Sequence, residues 1–183
     1  MEGTMNLVPE IKGDGLVLRP VRRSDSGLIE LYGSDDRVAR MTTSIPHPLP
    51  PGSTDAFVAR AMSGLGGELV WVMDASPFGG AELKGLISLE RMDPGPRGGS
   101  QSEIGYWVAP AWWNTGLASA AVQALVDANP LNDDTLFGSV FQDNPASARV
   151  LTNAGFQYVG DAESFSVARN AKVPTWTYIR KLN

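Results

Sequence analysis

Three short segments of mixed apolar and polar character follow one another with only Gly- and Pro-rich turns between them: "ELVWVMDA" (Glu68 to Ala75), "ELKGLISLERM" (Glu82 to Met92) and "SEIGYWVAP" (Ser102 to Pro110). Connections this short, "SPFGG" and "DPGPRGGSQ", leave no room for a crossover helix, so the three are predicted to be antiparallel neighbours. At Pro110 the rhythm changes. A helix over about Thr115 to Ala128, a strand over about Thr135 to Gln142, a second helix over about Pro145 to Ala154 and two terminal strands are predicted to complete the chain. An antiparallel meander that passes through a helix into another strand is an α/β (α+β) arrangement with one crossover unit. Ligands in such sheets favour the point where strand direction changes, outside the carboxyl end of the strand that feeds the helix. Here that point is Val108 to Ala118.

Ahead of the meander, "GLVLRPV" (Gly15 to Val21) is predicted to be a first strand, with Ser24 or Asp25 capping a helix that runs to about Gly33. A short helix is expected to carry Arg37 to Met41. Ser53 and Thr54 are the expected caps of a third helix, which the glycines after Met62 stop. The 183 residues suit one domain, with no internal repeat or low-complexity tract.

Composition removes whole classes of chemistry. The chain has no cysteine and one histidine, His47, placed in the proline-rich connector "SIPHPLPPG" and read as a solvated loop residue. A disulfide frame, a thiolate metal site and an acyl-cysteine intermediate are thereby excluded, and no metal site is expected. A formal charge of −5, from 15 basic and 20 acidic residues, argues against nucleic-acid binding and is congenial to a cationic substrate such as a primary amine. No apolar run approaches the roughly 20 residues that span a bilayer, and the opening "MEGTMNLVPEIKGDG" lacks the pattern of a secretory signal. No membrane association and a cytoplasmic location are expected, with monomer and homodimer both open.

Two helix starts carry the chemistry. Neither G-x-x-x-x-G-K-[ST] nor a G-x-G-x-x-G after a strand is present. The strand leads instead into W-x-x-G-x-A, Trp113 to Ala118, heading a helix whose first turn has no ionisable side chain. Its bare N–H groups, across Asn114, Thr115, Gly116, Leu117, Ala118 and Ser119, would suit a pyrophosphate, although small residues at this place also serve close helix–sheet packing. In "QDNPASARVLTNAGF", Asn144 is the expected N-cap, Pro145 takes the first helical position and Gly155 closes the helix. Ser147 places a hydroxyl in that first turn.

The two helix starts, with "LVLRPVRRSD", "EIGYWVAPAWWNTGLASAA", "NPASARVLTNAGF" and the closing "WTYIRKL", resemble the GNAT superfamily of N-acetyltransferases, most closely its RimJ/RimL-type branch of ribosomal-protein N-terminal acetyltransferases. The resemblance covers nearly the whole chain. It implies a mixed, mostly antiparallel sheet of about seven strands with helices on both faces, and an acetyl-coenzyme A site where two strands splay apart. Trp113 stands at the Q/R position of the superfamily's Q/R-x-x-G-x-G/A loop, and Gly116 and Ala118 match. Asn114 replaces a usual glycine and Thr115 a usual basic residue. The strand from Tyr106 through Trp107 to Val108 would pair with the pantetheine arm, with Asn144 and Ser147 near the sulfur.

Direct attack by the amine in a ternary complex is the implied route, with the carbonyl oxygen on the Val108 N–H and Ser147 protonating or hydrogen-bonding the thiolate. Glu103 is the first candidate base, acting directly or through water, and Glu163 the second. Tyr106 and Glu163 are also placed at the acceptor. Trp71 and Trp107 are read as core. The acceptor is expected to be a protein N-terminal α-amine. A small amine such as a drug, polyamine or amino acid is the alternative, followed by a non-catalytic coenzyme-binding module and a plain scaffold. The groove for it is expected from the early helices and the loops around Ser44 to Gly52 and Asp93 to Ser100.

Overall fold

A computed structural model of the chain describes residues 8–182; the first residues of the opening stretch, weighed as a secretory signal, lie outside them. Among the described residues eight strands form one sheet in the order β1-β2-β3-β4-β5-β6-β8-β7. They are β1 (Ile11–Lys12), β2 (Val17–Pro20), β3 (Glu68–Asp74), β4 (Gly85–Arg91), β5 (Gln101–Val108), β6 (Thr135–Phe141), β7 (Gln157–Ser166) and β8 (Ala171–Lys181). The strand beyond the expected seven is β1, whose two residues are too few to register as an alternation. All neighbours are antiparallel except β5 and β6.

Helices cover both faces, and the alternation of each strand assigns its residues to one core or the other. Helix α4 (Leu117–Ala128) and α5 (Pro145–Asn153) close the larger core, where Trp71, Ile87, Ile104 and Leu136 meet Val122, Leu125 and Leu151. On the opposite face α1 (Ser26–Gly33), α2 (Asp36–Ala39) and α3 (Ser53–Ser63) accompany a smaller cluster of Ile29, Val58, Val70, Val72 and Leu86. Trp71 is fully buried and its indole N–H donates to the Pro9 carbonyl at 2.8 Å, which satisfies the polar tip of an otherwise apolar side chain.

Two expected caps have other work. Asp25 does not cap α1; its carboxylate accepts from the Arg22 N–H and from both terminal nitrogens of Arg19, at 2.9 and 2.8 Å. Arg19 Nε reaches Asp74 at 2.7 Å, so one buried guanidinium joins β2, β3 and the turn into α1. Ser53 and Thr54 lie inside α3, whose N-cap is Gly52 at φ +80°, and the Ser53 hydroxyl turns back to the Pro50 carbonyl.

Candidate active site

The parallel pair β5/β6 runs in register only from Gln101↔Thr135 to Ile104↔Gly138. Beyond that rung both strands continue, β5 to Val108 and β6 to Phe141, without pairing. The sheet opens here into a wedge. On its other side β5 stays paired with β4 through Gly85↔Val108, and the Ala109 N–H donates to the Lys84 carbonyl at 2.9 Å. In an antiparallel ladder hydrogen-bonding direction alternates, so Tyr106 and Val108 direct their N–H groups away from β4 and into the wedge. The Val108 carbonyl is occupied, accepting the Trp113 indole N–H at 2.7 Å. Trp113 is thus a brace between the strand and the following loop, with its exposed ring under the Arg37 guanidinium at 5.7 Å.

The loop then delivers the bare helix end that the sequence calls for. Asn114 has φ +60° and Gly116 φ +79°; the first explains how an asparagine stands where the resemblance expects glycine, since asparagine tolerates the left-handed region. A Cβ added to Gly116 would meet no heavy atom within 4 Å, so the space in front of it is open. Helix α4 has no side-chain cap and no acidic residue in its first turn. Leu117 packs against the larger core, and Ala118 and Ser119 are half-buried beside it. Thr115 turns its hydroxyl back to the Trp112 carbonyl at 2.6 Å, away from that end.

Across the wedge, Asn144 caps α5, its side-chain oxygen accepting the Ser147 N–H at 3.4 Å. The Ser147 hydroxyl donates to the Tyr106 hydroxyl at 2.8 Å, and the Tyr106 hydroxyl donates to the Ser147 carbonyl at 3.0 Å. Burial pushes the Tyr106 phenol up to about 12, a shift only partly opposed by the Ser147 contact, so it stays a protonated donor through neutral pH. Sequence reasoning set Tyr106 at the acceptor and missed this pairing. The two residues are 41 positions apart, and only the wedge brings them together.

On the α1–α3 face lies a cavity of about 510 Å³, lined by the connector around Thr43, Ser44 and Ile45, by α3, and by strands β3 to β6 and β8. Of the stretch Ser44 to Gly52, Ser44, Ile45, Pro46 and Leu49 line this cavity; among the described residues lining it none comes from Asp93 to Ser100. Glu103 lies here, half-buried, its carboxyl pushed above the ordinary range by burial and by the charge of Glu90. Trp107 packs against the smaller core on this same face. Glu163 is exposed on β7 opposite Pro174, one residue out of phase with Ala162 and Ser164, and is not brought into the cavity. Among the described residues no group of His, Cys, Asp and Glu is arranged to hold a metal ion, and no helix is long and apolar enough to cross a membrane.

The sequence profile of the Acetyltransferase (GNAT) domain matches residues 15–157. The chain belongs to that family. The uncharacterized N-acetyltransferase YoaA of Bacillus subtilis (strain 168) is 26% identical over 179 residues, covering 94% of this chain and 96% of YoaA. Among solved structures, the fold is similar to RimL, a ribosomal alpha-N-protein acetyltransferase in complex with coenzyme A, at TM-score 0.77 and 17% identity, covering 95% of this chain and 98% of that one. It is equally similar to the microcin self-immunity acetyltransferase MccE in complex with acetyl-CoA and AMP, at TM-score 0.77 and 14% identity, with 96% and 98% covered. The protein is an N-acetyltransferase of that family, and the group carried by these two neighbours is coenzyme A or acetyl-CoA. Its own residues suit that group: an unpaired strand edge for an amide-bearing arm, and an uncapped helix end with open space at Gly116 for phosphate.

Proposed function

We propose that the enzyme acetylates protein N-terminal α-amines, with the donor held in the β5/β6 wedge and the acceptor in the cavity on the α1–α3 face. The observation that carries this reading is the unpaired stretch of β5, whose inward N–H groups stand between a bare helix N-terminus on one side and the Tyr106–Ser147 pair on the other. Bound there, the donor supplies a thioester carbonyl. The Val108 N–H holds that oxygen and the main chain at 114–119 holds the diphosphate. With no cysteine for an acyl-enzyme, direct attack by the amine is the route this reading takes.

Ser147 and Tyr106 act as one hydrogen-bonded unit on the sulfur side. Because the phenol stays protonated, its O–H can turn from the Ser147 carbonyl to the Ser147 Oγ, which frees the serine proton for a departing thiolate, with the positive end of α5 adding a field of the right sign. Ser147→Ala is expected to lower kcat about tenfold while changing coenzyme affinity less than twofold, measured by thiol release and equilibrium titration. An unchanged kcat removes Ser147 from the chemistry. Tyr106→Phe should reproduce most of the loss.

Glu103 stands five residues before Val108, about 17 Å along an extended strand and beyond a direct contact or one bridging water, so proton removal by Glu103 runs through a chain of waters along the cavity. The help required is bounded: an α-amine with a pKa near 8 is already roughly a tenth neutral at pH 7. Glu103→Gln is therefore expected to reduce kcat/KM at pH 7 by about tenfold at most, with the loss shrinking as pH rises and the amine deprotonates by itself. In the wild type, activity falls with acid as Glu103 protonates through its raised pKa. A pH profile of the variant parallel to that of the wild type would exclude it as the base.

The small-amine alternative shares the same donor site. A panel of peptides and free amines, compared by kcat/KM, separates the two readings.

A further inference from the structure

The register of three strands sets three carboxylates in one row. Glu68 on β3 pairs with Glu90 on β4, and Glu90 pairs with Glu103 on β5. Directly opposed residues share a sheet face, so all three side chains leave the sheet on the cavity side, at steps of about 4.8 Å. All three line the cavity. Like charges facing one another across strands destabilise a sheet. The protein offsets the row only in part: Glu68 has a side-chain hydrogen bond with Ser88 and the favourable charge of Arg60, the one basic side chain lining the cavity among the described residues, but no ion pair within 4 Å links Arg60 to any of the three, and Glu68 and Glu90 face solvent.

A second, uncharged feature marks the opposite end of the same cavity. Thr175 on β8 is 2% exposed, and its hydroxyl has no hydrogen-bond partner. It pairs with Phe141 on β6, shares that residue's sheet face, and lines the cavity with it. An orphaned hydroxyl this deeply buried costs about 1–3 kcal/mol unless something bonds to it. Thr175 lies near the level of Trp107 and Val108, where the reacting nitrogen belongs. From there to the carboxylate row is four or five residues of β5, about 14–17 Å.

We propose that the acceptor is a protein N-terminus with a lysine or arginine about three to five positions along, its α-amine beside Thr175 and Val108 and its basic side chain on Glu68 and Glu90 of the row, which leaves Glu103 to the proton. The inference rests on the N-terminal acetyltransferase reading above. An extended peptide advances about 3.3–3.6 Å per residue, which spans the interval in four or five residues, or fewer when a long side chain adds its reach. A monoamine would leave the row uncompensated. The Thr175 oxygen accepts one N–H of the incoming amine.

The test uses hexapeptides with a common N-terminal residue and lysine, norleucine or glutamate at position four. Wild type is expected to prefer the lysine peptide over norleucine by about tenfold in kcat/KM, chiefly through KM, with the preference shrinking as salt is raised. In the Glu68→Gln/Glu90→Gln double variant the ratio should fall towards one; coenzyme affinity, measured separately, reports that the variant is folded. Equal kcat/KM for lysine and norleucine in wild type, or a preference that survives the double substitution, overturns the inference. Faster transfer to a free polyamine than to the lysine peptide overturns the assignment to a protein N-terminus. If no peptide is acetylated, the proposed activity fails. Titration of the coenzyme-loaded protein with the lysine and norleucine peptides then decides the charge recognition: tighter lysine binding sustains it, equal affinities overturn it.

Discussion

Replacement of Arg19 by leucine is expected to destabilise the fold by about 3–5 kcal/mol, read as a lowered midpoint of chemical denaturation. The guanidinium is 2% exposed and holds two carboxylates, Asp25 at 3% and Asp74 at 6% exposure. Leucine fills much of the volume yet leaves both carboxylates buried without their cation, which costs far more than the ion pairs contribute net. Burial pushes the Asp74 carboxyl up, but hydrogen bonds from Ser76 and then Arg19 outweigh it and hold the pKa below its ordinary value. A depressed folded pKa gives stability that is present above the unfolded value, near 3.9, and lost as pH falls through the folded value. Wild type should therefore weaken below about pH 4, and the variant should show less of that acid sensitivity. Arg19→Lys keeps the charge but loses the two-sided fork, so an intermediate stability is expected. A leucine variant within about 1 kcal/mol of wild type would contradict this account.

Gly116→Val should lower affinity for acetyl-coenzyme A by about a hundredfold, measured by calorimetry, with a smaller change in stability. Two effects combine. A side chain at φ +79° carries backbone strain of about 1–2 kcal/mol, more for a β-branched residue, which the loop can relieve by rotating its N–H groups out of line. The valine methyls would also occupy the open space in front of the helix, where no protein atom lies within 4 Å of a Cβ. Gly116→Ala carries the strain with less intrusion, and the difference between the two variants apportions the effects. Unaltered affinity in the valine variant would place the diphosphate elsewhere.

Much of this was legible in local sequence because it rests on local conformation. Asn144, Pro145 and Gly155 punctuate α5 where caps and breakers require, and the uncapped start of α4 follows from Gly116 at its N-cap, which has no side chain to offer. The features that were not legible depend on register. Glu68, Glu90 and Glu103 align only because each hairpin connection has a particular length, and a shift of one residue would send a carboxylate to the other face. The role of Asp25 was hidden similarly: in sequence it is a good cap ahead of a helix, whereas its partner Arg19 sits on the strand before it and pairs also with Asp74, 55 residues away. Tyr106 and Ser147 meet across a gap whose existence comes from the end of pairing between two strands, for which no residue pattern stands as a signal.

The four rungs from Gln101↔Thr135 to Ile104↔Gly138 have a mechanical consequence. Among the described residues they are the only backbone ladder joining a half-sheet of five strands to one of three. Beyond those rungs the halves are tied by the Tyr106–Ser147 bonds and by the Val167 N–H on the Thr43 carbonyl, single contacts in place of a ladder. A molecule seated in the wedge would add its own bonds to these few, so cosubstrate and architecture share one seam.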